Sequence, residues 1–332
     1  MIITRTPLRV SFCGGGTDLP AYYLHQQGAV VSASLNKYVY ITVNRLSRYF
    51  RHRILLKYSQ SELVDSVEEV SHPIIREAMK MTGVVDRVEI TSMADIPAGT
   101  GLGSSSSYAV GLLHALHTFK GEYVSAARLA QEACEIEIQR LGDPIGKQDQ
   151  YIAAYGGICH IRFNQDETVF VDPVICSHAT KIALQNHLLM FYTGTARRAG
   201  DILKVQRAAT HQKMDVLASM KELCGQALEV LQDGRSLNRF GEILHSGWLL
   251  KRTLVDTISN DAINHYYESA REAGALGGKL LGAGGGGFLL FYVEQQNHSR
   301  VREALRDLQE LPFMFEPQGS KVIYISDDIP PL

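Results

Sequence analysis

Apolar residues recur at every second position through Val88-Glu89-Ile90-Thr91-Ser92-Met93, the period of a half-buried strand. Past residue 108 the period changes. Ala109, Leu112, Leu113 and Leu116 fall on one face of a helix that Gly121 closes. Between the two patterns stands Pro97-Ala98-Gly99-Thr100-Gly101-Leu102-Gly103-Ser104-Ser105-Ser106-Ser107. The spacing predicts a strand, a glycine loop and a helix start. Before this unit, Leu8, Val10 and Phe12 share a strand face, and strand-like stretches follow at 30–34 and 39–43. After it, an amphipathic helix over 124–141 buries Ala126, Leu129, Ala130, Ala133, Cys134 and Leu141 and ends at Gly142. This helix carries Glu132, Glu135 and Glu137, two of which read as ordinary surface charges. A strand at 158–163 gives way to an irregular pattern over 164–186, which divides the chain into an N-terminal domain, 1–175, and a C-terminal domain, 176–332. The second half shows an apolar strand at 188–192 and helical stretches at 199–232, 236–257 and 260–273. A strand at 288–293, a helix at 299–309 and a strand at 321–325 complete it.

A strand, a glycine loop and a helix start in that order point several backbone N–H groups at one spot, and the positive end of the helix adds to their field. This is the physics of a phosphate cradle. Glycines let the backbone approach an anion without an intervening Cβ, and serine hydroxyls donate to phosphate or ligate a metal. Two common phosphate loops are excluded. Ser104 stands where a P-loop requires lysine, and Ser106 stands where the dinucleotide fingerprint requires its third glycine. The competing reading is a serine-capped helix after a flexible loop.

Composition narrows the function. The chain has 332 residues, enough for two domains and a sizeable core. Its formal net charge of -2 offers no basic surplus, so nucleic acid is not expected as the main partner. Cys13, Cys134, Cys159, Cys176 and Cys224 are widely spaced, with no C-x-x-C pair, which favours reduced thiols over disulfides or zinc. No signal-peptide pattern opens the chain and no apolar run approaches membrane length. A soluble cytoplasmic protein with no membrane partner is expected. The sequence leaves its oligomeric state open, a homo-oligomer included.

Four further loops carry candidate chemistry. Gly14-Gly15-Gly16-Thr17-Asp18 follows the first strand and would bring backbone and a carboxylate close to a small ligand, unless Asp18 only caps a helix. Gly142 to Tyr151 ends in Lys147-Gln148-Asp149-Gln150, where Asp149 is either a tuned carboxylate or the cap of a short helix. Thr193-Gly194-Thr195-Ala196-Arg197-Arg198 follows the 188–192 strand. The run Gly282-Ala283-Gly284-Gly285-Gly286-Gly287 would cost backbone entropy unless it packs on the first glycine loop or approaches a phosphate. The basic stretch 45–58 reads as a solvated hairpin or strand edge.

Three of these stretches together resemble the motifs of the GHMP kinases, the superfamily of galactokinase, homoserine kinase, mevalonate kinase and phosphomevalonate kinase. Thr6-Pro7-Leu8-Arg9-Val10 through Asp18 is similar to their first motif, Pro97 to Ser106 to their second, and Lys279 to Gly286 to their third. The resemblance implies an α+β GHMP kinase fold. Its N-terminal domain would be like domain 2 of ribosomal protein S5, its C-terminal domain would be ferredoxin-like, and the site would lie between them. It also implies ATP and Mg2+. By motif, Pro97, Gly99, Gly101, Leu102, Gly103, Ser104, Ser105 and Ser106 would hold the nucleotide, and Ser104 and Glu137 the metal. Asp149 would be the catalytic carboxylate and Arg9 the cation beside it. Gly15, Gly16, Thr17, Asp18, Arg197, Gly284 and Gly285 would bind the acceptor.

The Gly-Gly-Gly-Thr-Asp loop departs from galactokinase, which has Gly-Glu-His-Thr-Asp-Tyr there. That loop, Gly-Lys-Gln-Asp-Gln-Tyr, and Tyr192-Thr193-Gly194 followed by Arg197 are instead similar to the D-glycero-D-manno-heptose 7-phosphate kinases, with fucokinase domains next. The implied acceptor is a small sugar phosphate. The implied reaction phosphorylates the anomeric hydroxyl to a 1,7-bisphosphate, on the way to nucleotide-activated heptose for surface polysaccharide. The alternatives are a fucokinase-like or other sugar 1-kinase, a mevalonate-type enzyme with an apolar pocket, and a non-catalytic ATP and sugar sensor on the same fold.

Overall fold

The computed structural model describes residues 1–194 and 199–326. The strands are β1 Ile2–Cys13, β2 Gly28–Arg45, β3 Ile54–Lys57, β4 Ser61–Val64, β5 Val88–Ala94, β6 Ile158–Phe163, β7 Val169–Pro173, β8 Leu188–Tyr192, β9 Ala275–Leu280, β10 Phe288–Val293, β11 Gln309–Glu310 and β12 Lys321–Ile325. The helices are α1 Pro20–Tyr23, α2 Pro73–Thr82, α3 Ser104–Phe119, α4 Ala126–Cys134, α5 Gln148–Tyr155, α6 His178–Asn186, α7 Ala199–Ala209, α8 Met214–Asp233, α9 Asn238–Arg252, α10 Asp261–Glu272 and α11 His298–Ala304. Among these residues no helix is long and apolar enough to cross a membrane.

Two sheets organise the chain. One runs β12-β1-β2-β5-β3-β4, with β6 also on β2 and β7 on β6; the other runs β11-β8-β10-β9. The two stretches expected at 30–34 and 39–43 are one long strand, β2, which pairs along the whole of β1 with register shifts at Pro7/Leu8 and Ser11/Cys13. Proline cannot donate to a ladder, so a shift beside Pro7 follows from its chemistry. The second shift falls just before the Gly14–Gly16 turn. The last strand, β12, pairs antiparallel with β1 and so belongs to the first sheet. The stretch 164–186, expected to be irregular, contains β7 and α6. β7 alternates half-buried and exposed residues and ends in Pro173, so it carries little apolar signal, while α6 is started by the Ser177 hydroxyl, which accepts from the Thr180 N–H.

Helix α3 is pressed onto the first sheet, and this sets where its N-terminus points. Thr4 Oγ1 donates to the Gly111 carbonyl and Ser107 Oγ to the Pro7 carbonyl, at 2.9 and 2.8 Å. A side chain at Gly111 would collide with Thr6 Oγ1. The helix expected over 124–141 divides into α4 and a wider π turn over Glu135–Arg140, a form found at functional sites. The two halves share apolar packing, as where Phe12 of β1 meets Phe240 of α9 edge-on, centroids 5.2 Å apart.

Candidate active site

A cleft of about 630 Å³ opens between the two sheets. Its walls come from the Gly14–Asp18 loop, the 98–106 loop, the π turn, the 143–149 loop, α7, α9 and the 279–286 run. The three motif stretches of the sequence thus meet in one place.

The two glycine runs meet by backbone contact. A Cβ on Gly282 would lie 2.6 Å from the Gly101 Cα, and one on Gly287 would lie 2.4 Å from the Thr100 carbonyl oxygen. Of the two explanations the sequence left for the second run, close packing on the first is what the geometry shows. Gly284 and Gly286 line the cleft; Gly285 donates its N–H to the Ile258 carbonyl instead.

Beside this joint lies the ion pair of Arg9 and Asp149. Arg9 Nε and Nη2 donate to the two carboxylate oxygens at 2.7 and 2.6 Å, a bidentate clamp that fixes the carboxylate plane. Arg9 Nη1 donates to the Gly101 carbonyl at 2.6 Å, and the Arg9 N–H to the Leu102 carbonyl. The catalytic candidate and the phosphate loop are therefore held by one side chain. Asp149 stands in the first turn of α5 without capping it, because both its oxygens are turned to Arg9.

Glu137 is fully buried at the edge of the same cleft. Its Oε1 accepts from Ser105 Oγ and its Oε2 from Gln150 Nε2, both at 2.7 Å. Burial pushes its carboxyl up to about 7 against the pull of these donors. The serines whose hydroxyls act on Glu137 are Ser105 and Ser106; Ser104 lies on the cleft wall beside them. Glu132 and Glu135 are engaged elsewhere, with His117 and Arg128, and with Arg140. A buried carboxylate among serine hydroxyls, with no cation paired to it among the described residues, is a hard oxygen donor set that fits Mg2+. Among the described residues no cluster of three or more His, Cys, Asp or Glu converges as a protein-only metal site. A metal shared with substrate phosphates is the arrangement this donor set allows.

In the Gly14–Asp18 loop, Asp18 is buried. Its Oδ1 accepts from the Gly16 N–H and its Oδ2 from the Gln148 N–H, so it ties the first loop to the start of α5 and does not cap α1. Burial, then the charge of Asp149, raises its carboxyl above the usual range. Gly15, Gly16 and Asp18 line the cleft. Thr17 does not: its one hydroxyl proton is shared between the Gly14 and Ala29 carbonyls and its oxygen accepts from the Ala29 N–H, so it staples the loop to β2. Pro97 and Leu102 do not line the cleft either: Pro97 is exposed and Leu102 lies in the core. Arg197 lies outside the described residues.

Several cleft residues escaped the sequence reading. Ser11, Gln148 and Gln206 face the ligand space with polar groups, and Lys251 and Lys279 line its floor. Lys279 could have been found from its position at the head of the glycine run. Lys251 had no such signal, since a lysine in the last turn of a helix reads as surface charge opposite the dipole.

Family models for the GHMP kinases N terminal domain and the GHMP kinases C terminal match residues 67–157 and 219–311. The chain is 27% identical to D-glycero-alpha-D-manno-heptose 7-phosphate kinase of Campylobacter jejuni, over 96% of this chain and 98% of that protein. It is 25% identical to the bifunctional fucokinase/GDP-fucose pyrophosphorylase of Arabidopsis thaliana, over 92% of this chain but 31% of that protein. The crystal structure of a D-glycero-D-manno-heptose 1-phosphate kinase from Bacteroides thetaiotaomicron superposes with a TM-score of 0.81 at 25% identity, covering 98% of this chain and all of that one.

Proposed function

This chain belongs to the GHMP kinases, whose phosphate donor is ATP, and we propose that it phosphorylates the anomeric hydroxyl of a sugar phosphate. The favoured acceptor is D-glycero-D-manno-heptose 7-phosphate and the product its 1,7-bisphosphate, a precursor of nucleotide-activated heptose for surface polysaccharide. The observation that carries the reading is the Arg9 clamp, which sets Asp149 beside the glycine loop in a cleft that also presents Asp18.

In this reading the backbone of the 98–106 loop and the N-terminus of α3 hold the ATP phosphates. Ser104 and Glu137 would hold Mg2+, which when bound neutralises charge on those phosphates. Asp18 and the Gly15–Gly16 backbone orient the sugar hydroxyls. Asp149 accepts a hydrogen bond from the anomeric hydroxyl, aligns its oxygen with the terminal phosphorus and receives its proton as the new P–O bond forms and ADP leaves. A carboxylate clamped by a guanidinium is a weak base and a good positioner, which suits a transfer in which the proton moves late. Arg197 is proposed to hold the phosphate already on the acceptor, since its planar fork matches phosphate oxygens.

The test is ADP release from the purified protein over heptose 7-phosphate, free heptose, fucose, galactose and mevalonate. Strong preference for the heptose phosphate is expected. Equal specificity constants for the free and phosphorylated sugar would overturn the assignment, and preference for fucose would select the fucokinase reading.

A further inference from the structure

Lys251 of α9 and Lys279 of β9 are both buried, and both line the floor of the cleft. Among the described residues neither forms an ion pair with a carboxylate. Burial, then the like charges of Lys279 and Arg9, holds the Lys251 ammonium well below its ordinary pKa, and burial lowers that of Lys279 to about 8. Arg9 is neutralised by Asp149, while the two lysines are not. Burying like charges side by side is unfavourable, and an anion received between them would offset that cost.

Their donors show where that anion would sit. Lys251 Nζ donates to the Leu280 and Gly282 carbonyls at 3.1 and 2.6 Å, and Lys279 Nζ to the Phe12 carbonyl at 3.0 Å. An ammonium has three N–H donors, so one remains on Lys251 and two on Lys279. Gly282 is the residue packed on Gly101, whose carbonyl takes Arg9 Nη1. Lys251 therefore stands behind the joint between the nucleotide loop and the Arg9–Asp149 pair. Lys279, held on β1 two residues before Gly14, stands under the acceptor loop. Both line the cleft in which nucleotide and acceptor are proposed to meet.

We propose that Lys251 and Lys279 form a two-lysine seat for the phosphoryl group in transit, binding its oxygens as the bond to the ADP oxygen breaks and the bond to the acceptor oxygen forms. The charge of the phosphoryl oxygens holds the protons on both lysines while the group is bound, and the acceptor's proton leaves by Asp149. The inference rests on the kinase reading above.

The test compares wild type with Lys279→Met, Lys251→Met and Lys279→Arg, using Mg-ATP and the acceptor preferred in the ADP-release screen. Methionine keeps the stem and removes the charge. Each Met variant should lose at least about 100-fold in kcat, with both KM values within about threefold of wild type, as expected for an interaction made in the transition state. Because Lys279→Met removes an unpaired buried charge at the loss of one hydrogen bond, its melting temperature should stay level or rise. Lys279→Arg should retain more turnover than Lys279→Met. As an arm independent of the sugar, ADP with Mg2+ and aluminium fluoride should bind wild type more tightly than ADP alone, and the Met variants should lose that increment. Turnover in the Met variants within threefold of wild type overturns the inference alone. So does a fall in kcat accompanied by a lower melting temperature and raised KM in Lys279→Met, which would make the lysine a structural clip. An inactive wild type overturns the kinase reading and this inference with it.

Discussion

Gly101 and Gly282 touch backbone to backbone: a Cβ on Gly282 would lie 2.6 Å from the Gly101 Cα, and one on Gly101 would lie 2.7 Å from the Leu281 carbonyl oxygen. Neither obstacle is a flexible side chain that could move aside. This contact brings the second half of the chain against the phosphate loop, so it sets the width of the cleft.

Gly282→Ala is expected to separate the two runs. Overpacking against backbone costs about 1–3 kcal/mol, and Gly282 also has a left-handed φ of 72°. Melting temperature should fall and KM for ATP should rise by an order of magnitude. Gly121→Ala is the control, since Gly121 has a similar φ but nothing within 4 Å of a Cβ. It should lower stability modestly and leave KM unchanged, as read by calorimetry and steady-state kinetics.

Asp149→Asn should reduce turnover by roughly 100- to 10,000-fold, the range of a lost acid–base or positioning group. ATP binding should change little, because the phosphates are proposed to rest on backbone. Arg9→Lys should also be slow, because an ammonium cannot clamp both carboxylate oxygens and reach the Gly101 carbonyl at once. Turnover near wild type in a folded Asn variant would remove Asp149 from the mechanism.

Glu137→Gln should raise the Mg2+ concentration needed for half-maximal activity more than it raises KM for the sugar. It also has a signature without metal. The folded carboxyl is raised to about 7 from 4.5, so its favourable contribution is complete below pH 4.5 and is lost as pH rises through about 7. In Mg2+-free buffer the Gln variant should therefore gain stability relative to wild type between pH 5 and pH 8. Gln150 Oε1, buried and without a partner among the described residues, can turn to accept from the new amide. Thermal melts across that range check the sign.

His117 links α3 to α4 through Glu132 at 2.6 Å and reaches Glu122 at 2.9 Å. The hydrogen bond to Glu132 raises its pKa, so its contribution is complete below the ordinary value of 6.5 and is lost as pH rises through the raised one. His117→Gln should destabilise the protein more at pH 6 than at pH 9, again read by melting temperature. Equal losses at both would mean the imidazole acts as a neutral donor.

Arg197→Ala should erase most of the preference for a phosphorylated over a free sugar, a loss on the order of 2 kcal/mol for a charged hydrogen-bond partner. The ratio of the two kcat/KM values measures it. Preference retained in full would move the phosphate contact to another cation.

The loops that carry the chemistry were legible in the sequence because each has a local cause. A change from strand to helix period brackets the phosphate loop, and glycine-dense segments announce backbone that must be bare. Asp149 and Asp18 stand in such loops and were named from residue type and motif. Which of the three glutamates on one helix enters the cleft was also encoded. Glu137 falls four residues after Ala133, on the stripe that faces the core, whereas Glu132 and Glu135 fall outside it. The reading of the residues left the three glutamates undivided, and it was the resemblance to known kinases that selected Glu137 and supplied the remaining assignments.

What the sequence determined by itself was the set of elements, the motif order and the residue types available for phosphate chemistry, all properties of neighbours along the chain. Tertiary structure decided which of them meet. Arg9 and Asp149 are separated by 140 positions and form their clamp only because α3 and α5 pack on β1. Thr17, a plausible ligand by motif, turned inward because β2 offered it backbone partners at Ala29. Lys251 became a cleft residue because α9 packs on β9, which buries a charge that helix position alone would leave in water. Periodicity records how a segment folds on itself; burial and charge pairing depend on the surface that arrives against it.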